Sequence, residues 1–484
     1  MIPIQPAPPP AAPAEEVALY EIRRKIHPRA VTGVFFRWRW ALIFLTQAIF
    51  YGLPWLPWND RQAVLFDLAA RKFYIFGLVF WPQDVIYLAV LLILSAFSLF
   101  LFTAIAGRVW CGYACPQTVY TEVFLWVERR IEGDRVARIR LDAAPMSASK
   151  VGKKAAKHVI WIALALWTGL TFVGYFTPIG ELLAALPFRL GPWETFWILF
   201  YGFATYGNAG WMREQVCKYM CPYARFQSVM FDQDTMIIAY DGARGEPRGS
   251  RSRKVDIKAA GLGHCIDCNI CVQVCPTGID IRKGLQYECI GCAACIDGCD
   301  QVMDKMGYPK GLIRYASQNG LANGYDRATT WKRAFRLRTL LYLGLLFAIA
   351  TAAGVALWLR EPLKVDVMRD RGSLAREAKP GIIENAYRIQ IMNTDEKPRQ
   401  FRIAATGLPG IAIVGVAQPV AVGAASTRLV PIGVQVPAEV GEAADREAGR
   451  EPGRQSSHRI EIVIEAVDDA KLARHEKSTF LFPR

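Results

Sequence analysis

The residues of this 484-residue chain best suited to chemistry are its twelve cysteines, which fall into four groups and end at Cys299. Two groups make a doubled run, Cys265-x2-Cys268-x2-Cys271-x3-Cys275-Pro276 and Cys289-x2-Cys292-x2-Cys295-x3-Cys299. Three thiolates at x2 spacing can wrap three corners of an iron–sulfur cubane, while the fourth of each run points away and serves the other cluster. The spacing therefore predicts two [4Fe–4S] clusters. One would use Cys265, Cys268, Cys271 and Cys299, the other Cys289, Cys292, Cys295 and Cys275. Spaced cysteines also suit tetrahedral zinc, but eight in this doubled pattern make zinc the poorer reading. Asp300 stands where a proline usually follows the second run, which removes no ligand.

The other four cysteines lie in matching segments, Trp110-Cys111-Gly112-Tyr113-Ala114-Cys115-Pro116 and Cys217-Lys218-Tyr219-Met220-Cys221-Pro222-Tyr223. Each is Cys-x3-Cys-Pro. On a helix, positions i and i+4 share a face, so each pair is expected to chelate one soft ion or to form a dithiol. The alternative is four buried structural cysteines at helix ends.

Five apolar stretches are expected to position these groups: residues 40–58, 85–106, 158–178, 194–212 and 339–358, each near the ~20 residues a helix needs to cross a bilayer. Gly52, Pro54 and Pro57 interrupt the first. Hydrophobic residues make up 52% of the chain, and the mean hydropathy is +0.17. The net charge of +15 would suit a nucleic-acid binder, but its Lys and Arg gather beside the apolar runs. Orientation in a membrane explains them better. The loop after the second run is rich in Arg and Lys, whereas those after the first and third are poor. The N-terminus and all the cysteines are thus expected on the cytoplasmic side, and an odd number of spans puts the residues after Trp358 outside. Both Cys-x3-Cys-Pro segments follow an outside-to-inside span, as an internal repeat would, so their four thiols are expected to meet at the membrane boundary. No cleavable signal peptide is read at the N-terminus, where residues 1–13 are a Pro/Ala-rich tail of disordered composition.

The last ~125 residues lack cysteine and alternate in polarity, as at Tyr387, Ile389 and Ile391 against Arg388 and Gln390, which predicts an antiparallel β-sandwich. Of five histidines only His158 lies near a span, which argues against a bis-histidine haem. His264 is read as a surface or supporting residue. No Gly-x-Gly-x-x-Gly fingerprint or P-loop supports NAD(P) or ATP use. Asp84, Glu181 and Glu194 are expected to be solvated caps at outer helix ends, with an ion path as the alternative.

With its Gly107-Arg108-x-x-Cys111-Gly112-x-x-Cys115-Pro116-Gln117-Thr118 segment, its Cys217-x3-Cys221-Pro222-Tyr223 segment and its doubled run, the chain resembles the cytochrome c oxidase accessory protein family (CcoG, FixG or RdxA). The resemblance covers nearly the whole chain. It implies a membrane α-helical bundle with an inserted two-cluster ferredoxin-like α+β segment and a C-terminal Ig-like β-sandwich. The expected domains are a basic cytoplasmic tail (1–37), a four-helix membrane region (38–222), a cytoplasmic cluster domain (223–337), a fifth span (338–360) and a periplasmic Ig-like domain (361–484). The resemblance also implies a protein of the bacterial inner membrane that helps assemble the cbb-type oxidase by reducing Cu(II) to Cu(I). Copper would act at Cys111, Cys115, Cys217 and Cys221, the expected catalytic and copper-binding residues. Expected partners are oxidase assembly factors, copper chaperones or transporters, an electron donor the sequence does not name, and a second copy in a homodimer. Two other readings stay open: a quinol-linked electron conduit to a partner enzyme, and a non-enzymatic assembly scaffold.

Overall fold

The computed structural model describes residues 25–370, 375–447 and 456–483. The Pro/Ala-rich tail, with Arg23 and Arg24, lies outside the described residues. Among the described residues, five helices run between two ends of the molecule in alternating directions. α1 (Val34–Gly52) starts at the cysteine-bearing end, where the Phe35 and Phe36 N–H groups donate to Asp297 at 3.2 and 2.7 Å. Its far end meets the far end of α3 (Ala148–Val173), where the Tyr51 hydroxyl lies 2.8 Å from Thr168 Oγ1. Between them α2 (Val85–Ala106) returns to the cysteine end. α4 (Pro192–Thr205), continued by the π-helical turn Tyr206–Met212, also returns, and α5 (Leu337–Trp358) runs outward.

Among the described residues, three helices are long and apolar enough to cross a membrane: Pro82–Ala106, Ala148–Val173 and Leu337–Trp358. The other two differ from the expected spans for identifiable reasons. α1 begins earlier than expected and contains Arg37 and Arg39, then stops at Gly52, where Pro54 enters a 3-10 turn. α4 keeps α-helical geometry for only 14 residues before the π turn.

At the end away from the cysteines, residues 57–80 form short antiparallel strands that the sequence does not signal. They hold the C-terminal domain. Glu396 accepts from Arg61 at 2.5 Å and from Asn59 at 2.7 Å, and Lys72 donates to the Ala425 carbonyl at 2.9 Å. Asp84 is a correction to the expected solvated cap. It is buried, accepts from Trp81 N–H at 3.0 Å and from Arg360 at 2.8 Å, and also pairs with Lys364. A carboxylate with two basic partners on the segment after α5 clamps the C-terminal domain to the start of α2.

That domain is two antiparallel sheets face to face. One contains Leu363–Arg369, Ile382–Asn393, Ser426–Pro437 and Ala412–Val414, with Arg376–Lys379 beside Ile382–Asn393. The other runs Val420–Val422, Arg399–Thr406, Ser456–Ala466 and Ala473–Phe482. The alternation seen in the sequence is the pleat: Tyr387, Ile389 and Ile391 are buried against Ile460, Ile462 and Ile464 from the facing sheet.

At the cysteine end, a buried ion cluster fastens the helices. Glu128, fully buried on Pro116–Glu132, accepts from Arg138 at 3.0 Å, Arg213 at 3.1 Å and Lys157 at 3.4 Å. Burial alone would raise the Glu128 carboxyl, but Arg213, Lys157 and Arg138 outweigh it and hold the group at about 2. Removing the shared anion leaves Arg138 and Arg213 without a carboxylate and with little water, whereas Lys157 keeps Glu132 at 2.8 Å. Glu128→Gln should therefore cost about 3–5 kcal/mol of stability, read as a lower urea midpoint. A loss below about 1 kcal/mol would mean the cluster is no better than a surface pair.

Candidate metal centre

The two cysteine runs wrap around two small cavities. The first, of about 20 Å3, is lined by Cys265, Cys268, Cys271 and Cys299. The second, also of about 20 Å3, is lined by Cys275, Cys289, Cys292 and Cys295, with Cys271 between the two. Two local devices achieve the crossing. Asn269 and Ala293 take left-handed backbone angles (φ 56° and 59°) just before the helices Ile270–Gln273 and Ala294–Met306, turning each x2 loop back on itself. The second helix then carries Cys295 and Cys299 one turn apart, placing one thiol in each cavity. An antiparallel pair, Ile237–Tyr240 with Ile313–Ala316, packs Ile238 and Ile313 over them. Asp300, in the place of the usual proline, accepts the Gly311 N–H at 2.9 Å and so fixes the turn leading into the second strand.

The donor chemistry fits a cluster better than a single ion. Among the described residues no three His, Cys, Asp or Glu side chains converge closely enough for one metal ion, whereas the corners of a cubane are spread apart. Burial pushes the free thiols up: Cys271 to about 11, Cys289 and Cys299 to about 12. They therefore stay neutral until a metal displaces their protons. His264 stacks on Tyr308, with ring centroids 5.3 Å apart, and does not line either cavity.

The Cys-x3-Cys-Pro segments are not continuous helices, a correction to the i, i+4 expectation. Cys111 sits in the short helix Val109–Tyr113, while Cys115 is extended (φ −62°, ψ 127°) and caps the helix that begins at Pro116. The second segment repeats this: Cys217 lies in the π turn Val216–Met220, and Cys221 (φ −78°, ψ 110°) caps the helix that begins at Pro222. The cause is the proline, which forces the residue before it out of helical geometry.

The four thiols are nonetheless near neighbours. Cys217 is pushed up to about 12, first by burial and then by Cys115, Cys111 and Cys221. Cys111 is buried and donates to Gln227 Oε1 at 3.4 Å, and Arg108 Nε donates to the same oxygen at 3.0 Å. Arg108 also donates to the Tyr287 carbonyl. Arg108 and Gln227 are supporting residues that the sequence offers no periodicity to find. The signal for Arg108 is its place in the Gly107-Arg108-x-x-Cys111 segment.

Two of these thiols pack against residues of the second cavity. Cys111, Cys292 and Ile290 share one buried cluster, with Cys217 and Cys295 packed against it. The contact is backbone to backbone: a Cβ added at Gly112 would lie 2.8 Å from the Cys292 backbone N and Cα. Only glycine allows that approach.

The sequence matches a "4Fe-4S dicluster domain" over residues 212–318 and a "4Fe-4S binding domain" over residues 88–133. Residues 353–483 match a family described as the Ig-like fold at the C-terminal of FixG. The chain is 39% identical to the nitrogen fixation protein FixG of Rhizobium meliloti, covering 89% of this chain and 90% of that one. It is 43% identical to protein RdxA of Cereibacter sphaeroides, over 81% of this chain and 84% of that one. It is 41% identical to protein RdxB of the same organism, over 82% and 85%.

Proposed function

The chain belongs to the FixG/RdxA family of iron–sulfur proteins, and from that premise we propose that it is a membrane-bound oxidoreductase that reduces Cu(II) to Cu(I) for assembly of a cbb-type oxidase. The observation that supports this best is the packing of Cys111 and Cys217, two of the four soft thiols, against Cys292 and Cys295 of the second cysteine set, with Gly112 in close approach to Cys292. Cys265, Cys268, Cys271 and Cys299 would hold one [4Fe–4S] cluster and Cys275, Cys289, Cys292 and Cys295 the other; when bound, the pair stores and passes on single electrons.

The chain's own residues do the rest. Cys111, Cys115, Cys217 and Cys221 bind the copper substrate, and thiolate ligation favours Cu(I) over Cu(II), drawing the electron to the metal. Gln227 and Arg108 orient Cys111, and burial raises the Cys111, Cys115 and Cys217 thiols, so metal binding there releases protons. The oxidase and its assembly factors enter as proposed partners from the family resemblance.

The test is anaerobic titration of dithionite-reduced protein with Cu(II), following Cu(I) with a chelating dye. Stoichiometric Cu(I) matched by loss of the reduced cluster EPR signal is expected. Reduced protein that keeps its signal in the presence of Cu(II) would overturn the reading.

We also infer that the cysteine end faces the cytoplasm of a bacterial inner membrane and the sandwich end the periplasm. The Lys/Arg bias supports it, as does the meeting of residues 57–80 with the C-terminal domain at one end. A reporter active only in the periplasm should work when fused after Arg484 and be silent near Arg248; the reverse pattern would invert the orientation.

A further inference from the structure

A cavity of about 920 Å3, open on one side, is not lined by any cysteine. Its walls are of three kinds. Trp38 and Leu42 of α1 and Phe102 and Ala106 of α2 form an apolar wall, where Trp38 and Phe102 are 61% and 48% exposed. They lie at the cysteine-side ends of these helices, and α2 is one of the three helices apolar enough to cross a membrane. The floor is Tyr113, Tyr315 and Ile296. Ile296 follows Cys295, and the Tyr315 hydroxyl donates at 2.7 Å to the Gly291 carbonyl, inside the Cys289–Cys292 loop. The rim is polar, with Asp300, Lys310 and Arg314.

We propose that this cavity binds a lipid-soluble quinol, which supplies the electrons for the reaction proposed above. An apolar mouth level with the ends of membrane-type helices admits a ligand that arrives through the bilayer. A volume near the top of the usual range for small-molecule sites fits a ring with part of an isoprenoid tail. The aromatic walls can sandwich a planar ring, with ring contacts that favour aromatic ligands. The floor is one residue away from cluster cysteines, and the polar rim gives hydroxyl protons a route to water. Oxidation releases two electrons and two protons, QH2 → Q + 2 e− + 2 H+. Clusters held by the two cysteine sets would take up one electron each, and two Cu(II) would receive them. A structural phospholipid filling the same cavity would need none of the closeness to the cysteine loops.

The inference rests on the two-cluster reading, and its test has an arm independent of it. Full-length protein in lipid nanodiscs is labelled with a photoactivatable azidoquinone and the labelled peptides are mapped. Label on the cavity segments around Trp38, Ala106 and Trp331, displaced by excess decylubiquinone, is expected. Ala106→Phe, which fills the cavity, should reduce both that labelling and cluster reduction by decylubiquinol by about tenfold or more. Dithionite should still reduce the clusters of the variant fully. If Ala106→Phe does not assemble, Trp38→Ala at the exposed mouth should weaken labelling in the same way. Label elsewhere, label displaced equally by phospholipid, or unchanged quinol oxidation in the variant that assembles would overturn the proposal. If dithionite-reduced protein still reduces Cu(II) while quinol fails, the cavity assignment falls and the copper reading stands. If quinol labels the cavity while reduced protein leaves Cu(II) untouched, the reverse holds.

Discussion

Replacing Cys275 with Ser should cut the iron of anaerobically reconstituted protein from about eight to about four atoms per chain, and the centre lost should not be the one built by its sequence neighbours. Cys275 lines the cavity of Cys289, Cys292 and Cys295, whereas Cys265, Cys268 and Cys271 line the other with Cys299. The reduced wild type should show EPR of two interacting [4Fe–4S]+ centres. The variant should show a single, uncoupled one. Cys299→Ser should do the converse, sparing the centre of Cys275. Loss of the centre nearest in sequence, or zinc at stoichiometric levels in the wild type, would sink the crossed arrangement.

The second large effect is expected at the Cys-x3-Cys-Pro thiols. Changing Cys111 and Cys115 together to Ser exchanges soft donors for hard hydroxyls, which are poor ligands for Cu(I). Cu(I) affinity should fall by at least about 100-fold, since losing a ligand costs more than the 10–100-fold typical of losing its support. Iron content should stay near normal, and dithionite should still reduce the clusters. Discharge to added Cu(II) should become slow. Unchanged copper affinity and rate would make these thiols structural. Iron loss in the same variant would instead assign them to cluster stability, a result made conceivable by the contact of Gly112 with Cys292.

The sequence was a good guide where a pattern repeats at the period of its element. Tyr387, Ile389 and Ile391 alternate because one face of their strand is core, and the sandwich follows from that and its partners. It was a poor guide where geometry depends on a distant partner. Residues 57–80 have strands too short to signal themselves, and they are held by Glu396 and Ala425, more than three hundred positions away. Asp84 looks like a helix cap in sequence and is one only in part. Its burial comes from Arg360 and Lys364, which pair with it once α5 has brought the chain back. The Cys-x3-Cys spacing suggested a helical face, and the missing consideration was local. Pro116 and Pro222 break each helix at the second cysteine. Gln227 could not be singled out, because nothing in its own neighbourhood marks a buried amide that serves both Arg108 and Cys111.

The carboxylate that accepts the first N–H groups of α1 belongs to the helix that carries Cys295 and Cys299, and Phe36 and Asp297 are 261 positions apart. A helix start without an acceptor leaves backbone donors unsatisfied. At about 5–20 residues per second of synthesis, α1 therefore exists for roughly ten seconds or more before its cap leaves the ribosome. During that interval its first turn is open to water or to a holding factor. It closes only when the cysteine segment has folded beneath it. The order of manufacture thus makes the earliest described helix one of the last to be finished, and a chain interrupted before residue 297 carries an α1 that lacks this acceptor.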